Sequence, residues 1–355
     1  MVRRLRLGLQ LGYWGAGPPA GAGDLVLEAE RLGFDSVWTA EAYGSDALTP
    51  LAWWGSRTTQ VRLGTALCQL SARAPTATAM AAITLDHLSA GRFVLGLGVS
   101  GPQVVEGWYG QPFPNPLART RQYVSIVRQV LAREGPVTSD GEHYPLPYPG
   151  GTGLGRPLKS IVHPLRADIP IVVGAEGPKN VALAAEIADG WLAFLFNPQH
   201  MDEYGVALAE GFSRPGARRS AEDFEVIASC PVRVDHDVER AANALKPMLA
   251  LYIGGMGARG RNFHFDVFAR MGFEAQAQQI QQLYLEGRKL EAVAAVPTSL
   301  VESVALIGPR DKIRDDLAAW QESMANTLII SPAVSEDEGG MAALATLQTM
   351  AELMA

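Results

Sequence analysis

The chain has 355 residues, 48% of them hydrophobic and 19% charged, with a formal net charge of −7. That length and composition supply a large buried core and exclude general disorder, and the acidic balance excludes a basic field for nucleic acid or an anionic membrane. No stretch approaches the roughly 20 apolar residues of a membrane span, and the only two cysteines, Cys68 and Cys230, lie far apart, as expected of reduced thiols in the cytoplasm.

In chain order, continuous apolar runs recur at residues 5–11, 36–40, 61–67, 92–98, 169–175, 191–196, 224–234 and 326–331. Runs apolar on both faces suit parallel strands that are covered on both sides. Amphipathic stretches lie between them. They are DLVLEAERLGF, which Asp24 is placed to cap, LTPLAWWGSRTT, TATAMAAITLDHLSAG, and NVALAAEIADG, which Pro178 is placed to open. Eight strands alternating with helices favour a single α/β domain over 1–355, a (β/α)8 TIM barrel, in preference to a doubly wound sheet. Two insertions interrupt the alternation. Residues 135–168 are rich in glycine and proline, with Asp140-Gly141 as a tight-turn signal, and a loop at 252–266, YIGGMGARGRNFHFD, breaks the helices before the last strand. Long loops in compact enzymes are often lids or binding arms. The tail reads helical from about Gly340.

In such a barrel the site forms at the C-terminal ends of the strands. The residues there are Trp14, Glu41, Tyr43, then Ala66, Leu67, Cys68 and Gln69, then Ser100, Gly101 and Gln103. Later strand ends contribute Gly174, Ala175, Glu176, Gly177 and Lys179, then Asn197 and Cys230. No histidine–carboxylate set has metal-ligand spacing, and no HExxH, CxxC or Walker loop occurs, so no metal is expected. GLGVSGPQ and VGAEGPKN are glycine-rich strand-to-helix turns. Their free amides suit an anion such as phosphate, although glycine there serves plain strand–helix packing equally well.

Taken together, GLQLGYW, SVWTAE, LGTAL, LDHLSAGRFVLGLGVSGPQVVEGWYG and IPIVVGAEGPKNVALAAEIADGW resemble the luciferase-like family of flavin and deazaflavin barrels, over essentially the whole chain. Within that family, SGPQVVEGWYG and YIGGMGARGRNFH resemble the branch that uses coenzyme F420. The resemblance implies an F420-dependent oxidoreductase that transfers a hydride between C5 of the deazaflavin and a small organic substrate, working as a homodimer or homotetramer. The alternatives are an FMN-dependent monooxygenase and a non-catalytic flavin- or deazaflavin-binding barrel.

The resemblance also implies placements. It puts a non-prolyl cis peptide between Ala66 and Leu67, a wedge behind the central ring, with Leu67 and Cys68 excluding water. Ser100, Gly101, Gln103, Gly174, Ala175, Glu176 and Gly177 are expected at the cofactor, and Lys179, Arg259 and Arg261 at its phosphate or charged tail. Trp14, Tyr43 and His264 are expected on the substrate side, with Arg259 able to reach it as well. Many relatives carry an acidic residue followed by histidine at the end of the second strand. Here the pair is Glu41-Ala42, which leaves Glu41 as the acid–base candidate. An apolar, aromatic mouth leans toward a cyclic or lipid-like ketone or alcohol rather than a sugar phosphate.

Overall fold

The eight apolar runs form eight of the ten strands in the computed structural model, which describes residues 5–257, 260, 262–334 and 338–355. The ten are β1 Arg6–Gln10, β2 Ser36–Thr39, β3 Arg62–Thr65, β4 Cys68–Gln69, β5 Phe93–Gly98, β6 Ile171–Gly174, β7 Gly190–Ala193, β8 Glu225–Val234, β9 Leu306–Gly308 and β10 Thr327–Pro332, of which β4 and β9 lie outside the runs. Pairing is parallel in the order β10-β1-β2-β3-β5-β6-β7-β8, and β10 also pairs with β8, which closes an eight-stranded barrel. The short β4 resumes the third barrel strand beside β5, and β9 extends the far end of β8.

Alternation along each strand sends every second side chain inward. Trp38, Val94, Val172, Leu192, Ile227 and Ile329 therefore fill the barrel, with Ala66 and Leu67 packed against them. Trp38 fits because its neighbour on β3 is Gly64, where a Cβ would lie 2.2 Å from the indole. At the N-terminal end, Arg62 joins Asp35 and Glu225, the latter also bonded to Thr327 and Arg6. That charged ring belongs to the stabilising end of the barrel, opposite the end where chemistry is expected.

Helices α1 Ala22–Arg31, α2 Leu48–Gly55, α3 Pro75–Leu88, α4 Pro102–Gly107, α5 Pro116–Ala132, α6 Pro178–Ile187 and α7 Asp202–Ser213 surround the first half. The second half carries α8 Val238–Asn243, α9 Lys246–Gly254, α10 Phe263–Phe268, a π turn at Ala269–Phe273, and α11 Glu274–Leu285. It is completed by α12 Lys289–Ala294, α13 Thr298–Glu302, α14 Arg310–Glu322 and α15 Gly339–Met354. Barrel and helices share one large core, and residues from α8 to α13, such as Leu249, Ile253, Phe268 and Ile280, form a second. Among the described residues no helix is long and apolar enough to cross a membrane.

Several local expectations change. Asp24 does not cap α1. The helix starts at Ala22 after Gly21 in the left-handed conformation, so Asp24 lies in the first turn, where its charge still suits the helix dipole. The run at 191–196 is not one strand, because β7 ends at Ala193 and Leu195 adopts a φ of 54°. That turn sends Phe196 toward Trp191 and Trp320 and Phe194 toward Tyr252. The loop expected at 252–266 is shorter, since 252–254 finishes α9 and 263–266 opens α10. Residues 135–168 contain no helix, with one isolated bridge between Ser139 and Leu146.

Candidate active site

The floor of the site begins where the third barrel strand stops. Thr65 ends β3, and the Ala66–Leu67 peptide that follows is cis. The Ala66 amide still donates to the Thr39 carbonyl at 2.7 Å, and the chain rejoins the sheet as Cys68 and Gln69 pair with Leu97 and Gly98. Leu67 lies across the ends of β5 and β6. A Cβ on Gly98 or Gly174 would stand 2.5 or 2.4 Å from its Cδ2, so glycine lets the Leu67 side chain lie there without being displaced. The result is a half-open apolar shelf. Beneath it Cys68 is buried, and burial, helped by the Glu41 charge, pushes its thiol up to about 12. A neutral thiol at ordinary pH is neither nucleophile nor metal ligand.

Glu41 stands at the end of β2 and is buried. Its carboxylate accepts from Arg73 at 2.6 and 2.9 Å and from the Gln69 amide at 2.9 Å, while its carbonyl accepts from the Gln69 side chain at 3.1 Å. The bond to Glu41 holds the Arg73 guanidinium above its ordinary range. Both oxygens of the acid–base candidate are thus committed, and they tie β2 to β4 just behind the shelf. Two acceptors nearby have no partner among the described residues. They are the buried Oε1 atoms of Gln10, at the end of β1, and of Gln69.

The opposite wall comes from the β6–α6 turn. Ala175 is pinned, its amide donating to Leu192 and its carbonyl accepting from the Trp191 indole. Gly177 precedes Pro178, which opens α6 as expected. Between them Glu176 points to His264, whose Nδ1 lies 2.8 Å from both carboxylate oxygens. His264 is placed by Asn262. The Asn262 side chain accepts from the amides of His264 and Phe265 and donates to the carbonyls of Tyr252 and Ile253, stapling α10 to the end of α9. Phe194, Tyr252 and Phe263 surround the imidazole with ring centroids 5.9, 4.7 and 4.4 Å away. The phenol of Tyr252 interacts with that of Tyr13. Burial pushes Tyr252 well upward, and the hydroxyl of Tyr13, a residue more than half exposed, is raised by burial where it meets Tyr252.

The remaining sequence candidates scatter more. Ser100 takes a φ of 58°, and Gly101 faces Met256 and Phe263 of the segment leading into α10. Gln103 and Lys179 are exposed on the first turns of α4 and α6, and Tyr43 is exposed at the rim. Trp14 packs on Trp54 of α2 and joins the core, whereas its neighbour Tyr13 reaches Tyr252. Asn197 organises its own turn, accepting from the Gln199 amide. Arg259 and Arg261 lie outside the described residues. Tyr13, Arg73, Tyr252 and Asn262 were not singled out from sequence. Of these only Asn262 carried a local signal, an N-cap residue type before a helix. Among the described residues no cluster of histidine, cysteine, aspartate and glutamate could hold a metal.

The model of the luciferase-like monooxygenase family matches residues 7–327. A Mycobacterium tuberculosis protein named "Putative coenzyme F420-dependent oxidoreductase" is 58% identical over 346 residues, 97% of this chain and 100% of its own. Among solved structures, the coenzyme F420-dependent tetrahydromethanopterin reductase of Methanopyrus kandleri matches with a TM-score of 0.80 at 23% identity, over 98% of each chain. An F420-dependent secondary alcohol dehydrogenase in complex with an F420–acetone adduct matches with a TM-score of 0.77 at 16% identity, over 99% of this chain and 98% of the other. At those identities the two structures speak for the fold alone.

Proposed function

Because the chain belongs to the luciferase-like monooxygenase family, we propose that it is a coenzyme F420-dependent oxidoreductase, moving a hydride between the deazaflavin and a small organic substrate. The observation that carries this reading is the 58% identity, end to end, with a relative named for that cofactor. The residues at the barrel mouth fit such a group. A flat apolar shelf at Ala66 and Leu67 is kept clear by Gly98 and Gly174, and two buried carbonyl oxygens, of Gln10 and Gln69, lack protein partners among the described residues. Ala66 and Leu67 would back the ring. Ser100 and Gly101 on one side and Gly174 to Gly177 on the other would line it, and the amide end of α6 with Lys179 would face a phosphate. Bound there, F420 supplies a hydride donor or acceptor at C5.

The protein's own work is to exclude water, orient the substrate and handle one proton. Tyr13, Tyr43 and Tyr252 make the mouth aromatic, which favours a neutral ketone, aldehyde or alcohol over a sugar phosphate. Both cysteines are buried and free, which fits the cytoplasm. A homodimer or homotetramer goes with this reading, and analytical ultracentrifugation reads its size. Fluorescence titration with F420 and FMN, followed by oxidation of reduced F420 in the presence of ketones, aldehydes and enones, tests the function. Saturable F420 binding with turnover supports it. Binding of FMN with no binding of F420 refutes it in favour of a flavin enzyme.

A further inference from the structure

We infer that Glu176 and His264 form a proton-transfer pair at the barrel mouth, with Nε2 of His264 as the atom that exchanges a proton with the substrate. The inference rests on the oxidoreductase reading above and assigns a role which that reading leaves open.

Four observations converge. The carboxylate of Glu176 bonds Nδ1 of a nearly buried imidazole, its side chain 8% exposed, and no other polar side chain among the described residues bonds that ring. With Nδ1–H donating to Glu176, the neutral ring presents a bare Nε2 and the charged ring presents Nε2–H. Among the described residues, Nε2 of that ring has no bonded partner and is not a sealed, unpartnered atom.

The ring is also held in one orientation. Asn262 positions its backbone, Phe194, Tyr252 and Phe263 wall it, and Arg270 donates to the Glu176 carbonyl at 2.9 Å. Next, the pair overlooks the shelf. Glu176 stands two residues beyond Gly174, on which Leu67 lies, and Phe263 beside His264 faces Gly101. Finally, the carboxylate at the end of β2 is occupied: Glu41 is bonded to Arg73, and position 42 is alanine. Among the described residues, the other groups near the pair include Tyr43 at the rim and Tyr204, Arg270 and Glu203 behind Glu176.

In carbonyl reduction, the C=O π bond opens as a C–H bond forms with the hydride from reduced F420, and the oxygen takes the proton from Nε2. The products would be an alcohol, oxidised F420, a neutral imidazole with its hydrogen on Nδ1, and the N1 proton that reduced F420 gives up to solvent, from which the imidazole is reprotonated. Alcohol oxidation runs the same steps backward. Glu176 holds the ring by Nδ1, which fixes the orientation of Nε2 as the proton moves.

The test uses the full chain. In cofactor-free protein, diethyl pyrocarbonate with peptide mass spectrometry reads the access of each of the six histidines. His264 is expected to be carbethoxylated, and saturating F420 is expected to protect it. A ring that is unreactive, or equally reactive with F420 present, overturns the inference.

His264→Asn and Glu176→Gln are then compared with wild type. For His264→Asn the expected result is a fall in kcat of roughly 10²–10⁴-fold, with loss of one limb of the pH–rate profile, at an F420 affinity within about twofold of wild type. Glu176→Gln falls less and keeps that limb. Undiminished kcat in His264→Asn overturns the assignment. If that variant does not fold, the wild-type protection experiment still decides. Failure of wild type to bind F420 refutes the cofactor reading instead, and is seen in the titration before any variant is made.

Discussion

Asn262→Ala removes a side chain that joins the end of α9 to the start of α10. Its Oδ1 accepts from the amides of His264 at 3.0 Å and Phe265 at 3.2 Å, and its Nδ2 donates to the carbonyls of Tyr252 at 2.9 Å and Ile253 at 2.8 Å. Loss of an N-cap costs about 1 kcal/mol. The two carbonyls belong to the last turn of α9, which has no following turn to bond them, and a buried acceptor left unpaired costs roughly 1–3 kcal/mol. Ile253 keeps a long contact from Gln281 at 3.5 Å, so the low end applies to it. The expected total is about 3 kcal/mol, confined to the segment that carries His264. Hydrogen exchange read by mass spectrometry tests this directly. Exchange across 252–268 should speed up by about two orders of magnitude while β1 and β5 keep their protection. Asn262→Asp retains the cap but sets an acceptor against two carbonyls, and should be no more protected than the alanine variant. Unchanged exchange in Asn262→Ala, or a loss spread evenly over the barrel, would refute the staple.

Other perturbations probe the shelf and the charge pairs. Gly174→Ala puts a Cβ 2.4 Å from Cδ2 of Leu67, a side-chain end that can swing aside. Thermal stability should therefore change by no more than about 1 kcal/mol while F420 affinity drops at least about tenfold, and unchanged affinity would mean the ring does not rest on Leu67. Arg73→Ala strands the Glu41 carboxylate, 4% exposed, without its cation and should cost roughly 3–5 kcal/mol in urea denaturation. Glu41→Gln should cost less, because the remaining arginine is 23% exposed and can reach water, and the reverse order would sink this account. Bonding to Arg121, opposed by burial and reinforced by Arg214, lowers Glu186 from its ordinary 4.5 to about 2. A depressed carboxylate stabilises the fold above about pH 4.5 and loses that contribution as pH falls toward 2. Glu186→Gln should flatten the acid limb of a stability–pH curve in that window, and a curve as steep as wild type would show that other carboxylates set it.

The barrel was readable because its signals are local. Two-sided apolar runs such as IPIVVGA and FEVIASCPVRV mark β6 and β8 whatever the rest of the chain does. Element ends were less readable. Whether β7 stops at Ala193 depends on Phe194 finding Tyr252 and His264, which belong to α9 and α10. Asp24 looked like a cap because its residue type suits one, and Gly21 supplied the turn instead. The wedge at Ala66–Leu67 could be placed only through family resemblance, since nothing in GTAL requires a cis bond.

By itself, the amino-acid sequence determined the alternation of strands and helices, the glycine-lined turns at strand ends, and the residue types available there, because these follow from periodicity and backbone conformation within a few positions. Only the closed barrel decided the partners. Glu41 meets Arg73 across 32 residues and Glu176 meets His264 across 88. Each pair forms because a strand end meets a segment distant in sequence on one rim, Arg73 just after β4 and His264 in α10, where a desolvated carboxylate must find a donor. That requirement ties up the carboxylate singled out from the sequence and sets another beside an imidazole at the mouth.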